Sequence, residues 1–125
     1  MPTHFHAIVG AADGEQLSSV MRDLKRFTSR EIVNVLQATG EELPLRAFKK
    51  AASLQGRGND HKVWKDEFHP IGIRSIEVFR QKLDYIHHNP VRKGLVEESS
   101  HWRYSSAGFY DKGSVGVLEM DELEW

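Results

Sequence analysis

An α+β domain, an antiparallel sheet covered by helices, is the fold class this sequence predicts, and three observations carry it. Residues 4 to 9 alternate, with His4, His6 and Ile8 on one face and Phe5, Ala7 and Val9 on the other, the period-two pattern of a strand. Two longer stretches repeat their apolar residues every three or four positions, which is helical spacing. Short runs at 62 to 64 and 115 to 118 supply candidate further strands.

The first helix is expected near residues 15 to 37. Asp13 and Gln16 stand three apart, the spacing of a capping box, and Leu17, Val20, Met21, Leu24, Phe27, Ile32, Val33 and Leu36 follow at helical intervals. Gly40 closes that helix. Residues 41 to 60 read as polar and turn-rich, ending in a glycine-bearing loop around Gly56 and Gly58. A second helix over 76 to 88 opens with Ser75 as its cap and carries the stripe Ile76, Phe79, Leu83 and Ile86. The residue before a proline disfavours helical geometry, so Asn89-Pro90 predicts a boundary, with Asn89 at the rim of the last turn. Beyond it, Gly94, Gly108, Gly113 and Gly116 predict a mostly irregular segment.

At 125 residues the chain suits one domain with a core. It has no cysteine, which removes disulfides and thiolate metal sites and fits a reducing cytoplasm. No signal peptide and no membrane-spanning apolar run are visible. The net charge of -1 gives no basic excess, but its distribution is uneven: ten basic against five acidic residues between positions 22 and 65, then five acidic residues and only Lys112 from Asp111 onward. An ordinary solvated surface is the simpler account of this pattern. The alternative is a phosphate-binding face, for which Lys25, Arg26 and Arg30 on one side of the first helix are the candidates.

The chemistry-bearing residues fall into two groups. His4 and His6 share one face of the first strand, within reach of a single metal ion. Two ligands alone do not make a site, and two exposed histidines on an edge strand would look the same. On the second helix Gln81, Tyr85 and Asn89 follow at i, i+4 and i+8 and share a face distinct from the apolar stripe. A tyrosine there presents its hydroxyl outward, with an amide oxygen one turn away that can join two imidazoles around a cation. A metal that polarises a phosphodiester makes phosphorus easier to attack by such a nucleophile. A half-buried tyrosine packed against the strand is the plainer alternative. His87 and His88 point in different directions, so at most one faces this site, and His88 can pair with Asp84. His61 and His69 fit no metal spacing. Trp64, Phe68, Trp102, Tyr104 and Tyr110 offer stacking faces for unpaired bases, although a domain this small is expected to keep most of them in its core.

Three segments carry a family resemblance: Met-Pro-Thr-His-Phe-His at 1 to 6, Gln-Lys-Leu-Asp-Tyr-Ile-His-His-Asn-Pro-Val-Arg-Lys-Gly-Leu-Val at 81 to 96, and Trp-Arg-Tyr-Ser-Ser-Ala at 102 to 107. In this order they resemble the single-tyrosine HUH transposases of the REP-associated branch. Lys25-Arg26-Phe27-Thr28 and Val63-Trp64 also sit where that family has similar segments. The resemblance spans residues 1 to 110 and leaves 111 to 125 as an acidic tail. It implies a ferredoxin-like HUH nuclease fold and a metal-dependent endonuclease and strand transferase acting on single-stranded hairpin DNA. Tyr85 would be the nucleophile of a 5′-phosphotyrosine intermediate, and His4, His6 and Asn89 the ligands of magnesium or manganese. A homodimer is also implied, with the tyrosine helix in some relatives serving the partner's metal site.

One departure bears on function. The family precedes its His-x-His strand with a strand, a helix and usually another strand, whereas here the triplet starts near residue 1. The implied fold is therefore truncated at its N-terminal side, with an exposed edge strand that invites pairing with another chain. Thr3 replaces the family's usual asparagine, a change expected to be tolerated. The alternative to an active transposase is a catalytically inactive, transposase-derived DNA-binding remnant.

Overall fold

The computed structural model describes residues 1–56, 58–66 and 70–118. Arg57, Phe68, His69 and the acidic residues of the expected tail beyond 118 lie outside these. The chain forms two compact units, one of Gly10–Pro70 and one joining Met1–Val9 to Ile71–Trp125.

The Gly10–Pro70 unit is built on α1 (Leu17–Ala38) and α2 (Glu42–Ser53). The expected stop at Gly40 has a definite mechanism. Gly40 takes a φ of +71°, its N–H donates to the Gln37 carbonyl at 3.3 Å, and the Glu41 N–H donates to the Leu36 carbonyl at 2.9 Å. These two bonds form a Schellman cap, which satisfies carbonyls the helix itself leaves open. Met21 from α1 and Ala52 from α2 are buried, and Leu45 and Phe48 of α2 are half-buried at i, i+3 spacing. The segment after α2 folds back on both helices. The Lys62 N–H donates to the Phe48 carbonyl at 3.0 Å, and the Trp64 indole N–H donates to Thr28 Oγ1 at 3.0 Å. Thr28 Oγ1 in turn donates to the Leu24 carbonyl at 2.7 Å.

The second unit is built on α3 (Ile76–Arg92), a single 3-10 turn at Ser99–His101, and α4 (Ala107–Lys112). Ser75 caps α3 as expected, its Oγ accepting from the Val78 N–H at 3.4 Å. The helix ends in a second Schellman cap, with Gly94 at φ +66°, its N–H on the Val91 carbonyl at 2.8 Å and the Leu95 N–H on the Pro90 carbonyl at 2.9 Å. Phe79 and Ala107 form the apolar interior, joined by the buried His87, Asn89 and Pro90.

Four expectations are corrected. No strand or sheet occurs among the described residues, so the antiparallel ferredoxin-like sheet is absent and the structure is helical. Alternation does not make a strand by itself; a strand exists through the ladder it shares with a neighbour. Residues 4 to 9 pair with no described strand, and all but Ile8 are exposed, so neither face of the alternation is buried. The runs at 62 to 64 and 115 to 118 likewise form no strand. Residues 41 to 60 hold α2, which tolerates Pro44 because a first-turn proline gives up no helical hydrogen bond. The capping box at Asp13 does not form: Gln16 is the cap residue and makes no side-chain cap bond. Finally, α3 runs through Pro90 to Arg92. Burial of Asn89 and Pro90 and the Gly94 cap outweigh the local steric penalty, and Asn89 lies inside the helix instead of at its rim.

Candidate active site

Within the Met1–Val9 and Ile71–Trp125 unit, the N-terminal segment lies beside α3 and brings His4, His6 and Tyr85 together. The His4 and His6 rings stand edge to face with centroids 5.0 Å apart, and the His6 ring meets the Tyr85 ring edge-on at 5.8 Å. Tyr85 is 47 % exposed, so its side chain reaches solvent. The expected outward face of Gln81, Tyr85 and Asn89 on α3 is present at Gln81 and Tyr85, both exposed, and not at Asn89, which is buried.

Two imidazoles each about 2.1 Å from one ion have centroids roughly 5 Å apart, so the His4–His6 spacing suits a shared metal. Thr3 Oγ1 lies 3.2 Å from His4 Nδ1 and leaves Nε2 as the free nitrogen. Partial burial, followed by the positive charges of His4 and of the chain's amino group, holds the His6 imidazole below its ordinary pKa, which favours the neutral, ligating form. Among the described residues no three His, Cys, Asp or Glu side chains come together as a metal site. The expected third ligand, Asn89, stands on α3 one turn beyond Tyr85. It is 7 % exposed and its Nδ2 finds no hydrogen-bond partner, so that end of the amide is held by no other side chain.

Sequence reasoning gave no role to Arg92 or Ser106 and left the direction of His87 open. Arg92 sits seven positions after Tyr85, two turns along the same face, with its guanidinium carbon 5.9 Å from the Tyr85 ring centroid. Its i+7 spacing was the signal. His87, 6 % exposed, lies 2.8 Å through Nε2 from Ser106 Oγ and packs its ring 5.5 Å from that of Tyr110. Burial holds its pKa below the ordinary value, against the opposing pull of Asp111 and Asp84, so the imidazole is neutral near pH 7. His88 does pair one turn back, but Nδ1–H donates to the Asp84 main-chain carbonyl at 3.0 Å and not to its carboxylate.

The basic candidates belong to the other unit. Arg26 and Arg30 are exposed along α1, Arg30 lying 3.5 Å from the Glu31 carboxylate and 5.9 Å from the Phe27 ring centroid, and Lys25 is half-buried. Of the expected stacking aromatics, Trp64 and Trp102 are half-buried, while Tyr104 is 72 % exposed and Tyr110 is also exposed. None of these four is core. Arg103 lies over the Tyr104 ring at 5.8 Å.

The chain is 26 % identical over 122 residues to the REP-associated tyrosine transposase of Escherichia coli (strain K12), a match covering 97 % of this chain and 57 % of that protein. No family model matches the chain, and no solved structure does. The chain thus spans little more than half the length of the curated relative it matches. A likeness that runs through nearly all of this sequence supports a distant relationship to the REP-associated tyrosine transposases.

Proposed function

We propose that the chain cuts and rejoins single-stranded hairpin DNA with Tyr85 as nucleophile. The observation that carries this reading is the open Tyr85 ring set edge-on against a histidine pair spaced for one divalent ion. The transposase name of the distant relative supports the same class of chemistry. In the forward step the Tyr85 hydroxyl loses its proton and its oxygen bonds to phosphorus. The bond from phosphorus to the 3′ oxygen breaks, leaving a 5′-phosphotyrosine and a 3′-hydroxyl that takes up a proton. Attack by another 3′-hydroxyl reverses the step and joins strands. Arg92 places positive charge next to Tyr85, where the phosphate must arrive. His4, His6 and the Asn89 amide would hold magnesium or manganese, which when bound polarises the phosphoryl oxygen. Lys25, Arg26 and Arg30 would contact backbone phosphates.

A DNA-binding remnant without turnover is the second reading, favoured by one observation: the His-x-His segment has no strand pairing among the described residues to hold it rigid. Incubating the protein with Mn²⁺ and end-labelled hairpin oligonucleotides from the flanks of its gene separates the two. The expected result is an adduct that survives denaturation and is lost in both Tyr85→Phe and His4→Ala. Binding without any adduct would favour the remnant.

A further inference from the structure

The hydrogen bond between His87 and Ser106, residues 19 apart in sequence, joins the last two of the three motif segments, and the chemistry proposed above gives neither residue a task. Two residues along a helix are about 200° apart, so His87 leaves α3 on the side opposite Tyr85. Tyr85 is 47 % exposed and His87 6 %: the nucleophile and this bond occupy the front and the back of one turn. Ser106 is itself fixed. It directly precedes α4, whose first residue, Ala107, is fully buried. Its carbonyl accepts from the Phe109 and Tyr110 N–H groups at 3.1 and 3.2 Å. The Ser105 hydroxyl accepts from the Ala107 N–H at 3.2 Å, and the Ser105 N–H donates to the Trp102 carbonyl at 3.0 Å. The Trp-Arg-Tyr-Ser-Ser-Ala segment is thus a rigid corner that presents one hydroxyl to one buried imidazole.

Resting on the reading of Tyr85 as nucleophile, we propose that His87 and Ser106 are positioning residues that set the rotation of α3 about its axis and thereby aim the Tyr85 hydroxyl. A tyrosine hydroxyl projects roughly 9 Å from the helix axis, so a 10° roll of the helix carries it about 1.5 Å. A displacement of that size costs on the order of 100-fold in rate where attack geometry is strict. The apolar burial of Phe79 and Pro90 has no preferred direction; a 2.8 Å hydrogen bond has one.

The test compares Ser106→Ala, Ser106→Thr and His87→Gln in the 125-residue chain, with folded fraction followed by circular dichroism. Adduct formation with the hairpin oligonucleotides in Mn²⁺ is measured at saturating and limiting DNA, and the contact between the Tyr85 and His6 rings is read by nuclear Overhauser effects. Ser106→Ala is expected to stay folded, to lower the rate at saturation 10- to 100-fold with KM changed less than twofold, and to lose the ring contact. Ser106→Thr, which keeps the hydroxyl, restores both, and His87→Gln, which keeps a donor and an acceptor near Ser106, falls between. An unchanged rate and ring contact in Ser106→Ala overturns the proposal, as does a loss that Ser106→Thr shares while folded. If the unaltered chain forms no adduct, the nucleophile reading fails, but the ring contact still decides whether His87 and Ser106 orient Tyr85.

Discussion

The two units bury different kinds of residue. In Gly10–Pro70 the buried side chains among the described residues are Met21 and Ala52, both hydrocarbon in character, and the polar ties made by Trp64 and Lys62 attach the following segment to the helices. In the unit containing α3 the buried set includes His87 and Asn89 alongside Phe79, Pro90 and Ala107. Hydrocarbon burial stabilises wherever it occurs, whereas a buried polar group costs free energy unless it is hydrogen-bonded. His87 is bonded, and Asn89 keeps an amide nitrogen without a partner. The first unit buries apolar side chains with one unpartnered imidazole nitrogen, His61 Nε2, at their margin; the second buries whole polar residues, on the helix that presents Tyr85.

That contrast can be broken most sharply at Met21. Met21→Ala should cost about 2 to 3 kcal/mol in chemical denaturation, the expected loss for a nearly buried methionine that leaves a cavity. A cost below 1 kcal/mol would show that the first unit is not held by this residue. Asn89→Leu should do the opposite. Removing an amide whose Nδ2 is unsatisfied is expected to raise stability by about 1 kcal/mol while abolishing Mn²⁺-dependent adduct formation. Destabilisation would mean that Asn89 is a structural residue, ending the contrast. The smallest effect is expected at Ser75, whose long 3.4 Å cap bond puts the loss at roughly 0.5 kcal/mol. The Ser75 hydroxyl holds the Glu77 carboxyl below its ordinary pKa, so Ser75→Ala should raise that pKa in an NMR titration. A carboxyl with a depressed folded-state pKa stabilises above its ordinary value and loses that contribution as pH falls. The stability gap between the parent chain and Ser75→Ala should therefore narrow on acidification.

Helices were legible in the sequence because their signals are local. The stripe from Leu17 to Leu36, the Gly40 stop and the Ser75 cap each depend on residues within a few positions, and each is present. The sheet was misread because strand pairing is non-local: the alternation of residues 4 to 9 is compatible with a ladder but cannot supply its other half. For α2 the polar residues between Leu45, Phe48 and Ala52 concealed a short stripe, and Pro44 suggested a turn. In the site, the nearness of His4, His6 and Tyr85 followed the motif order, but His87–Ser106 depends on a turn at 102 to 106 that no periodicity announces.

Pro90 has no N–H to offer the Ile86 carbonyl, so the hydrogen-bond ladder of α3 lacks one rung immediately after the turn of Tyr85. Where that rung is missing, the burial of Asn89 and Pro90 and the Gly94 cap hold the last turn in its place. A feature that looks like a flaw in the helix thereby makes the junction beyond Tyr85 depend on side-chain packing instead of on the backbone ladder.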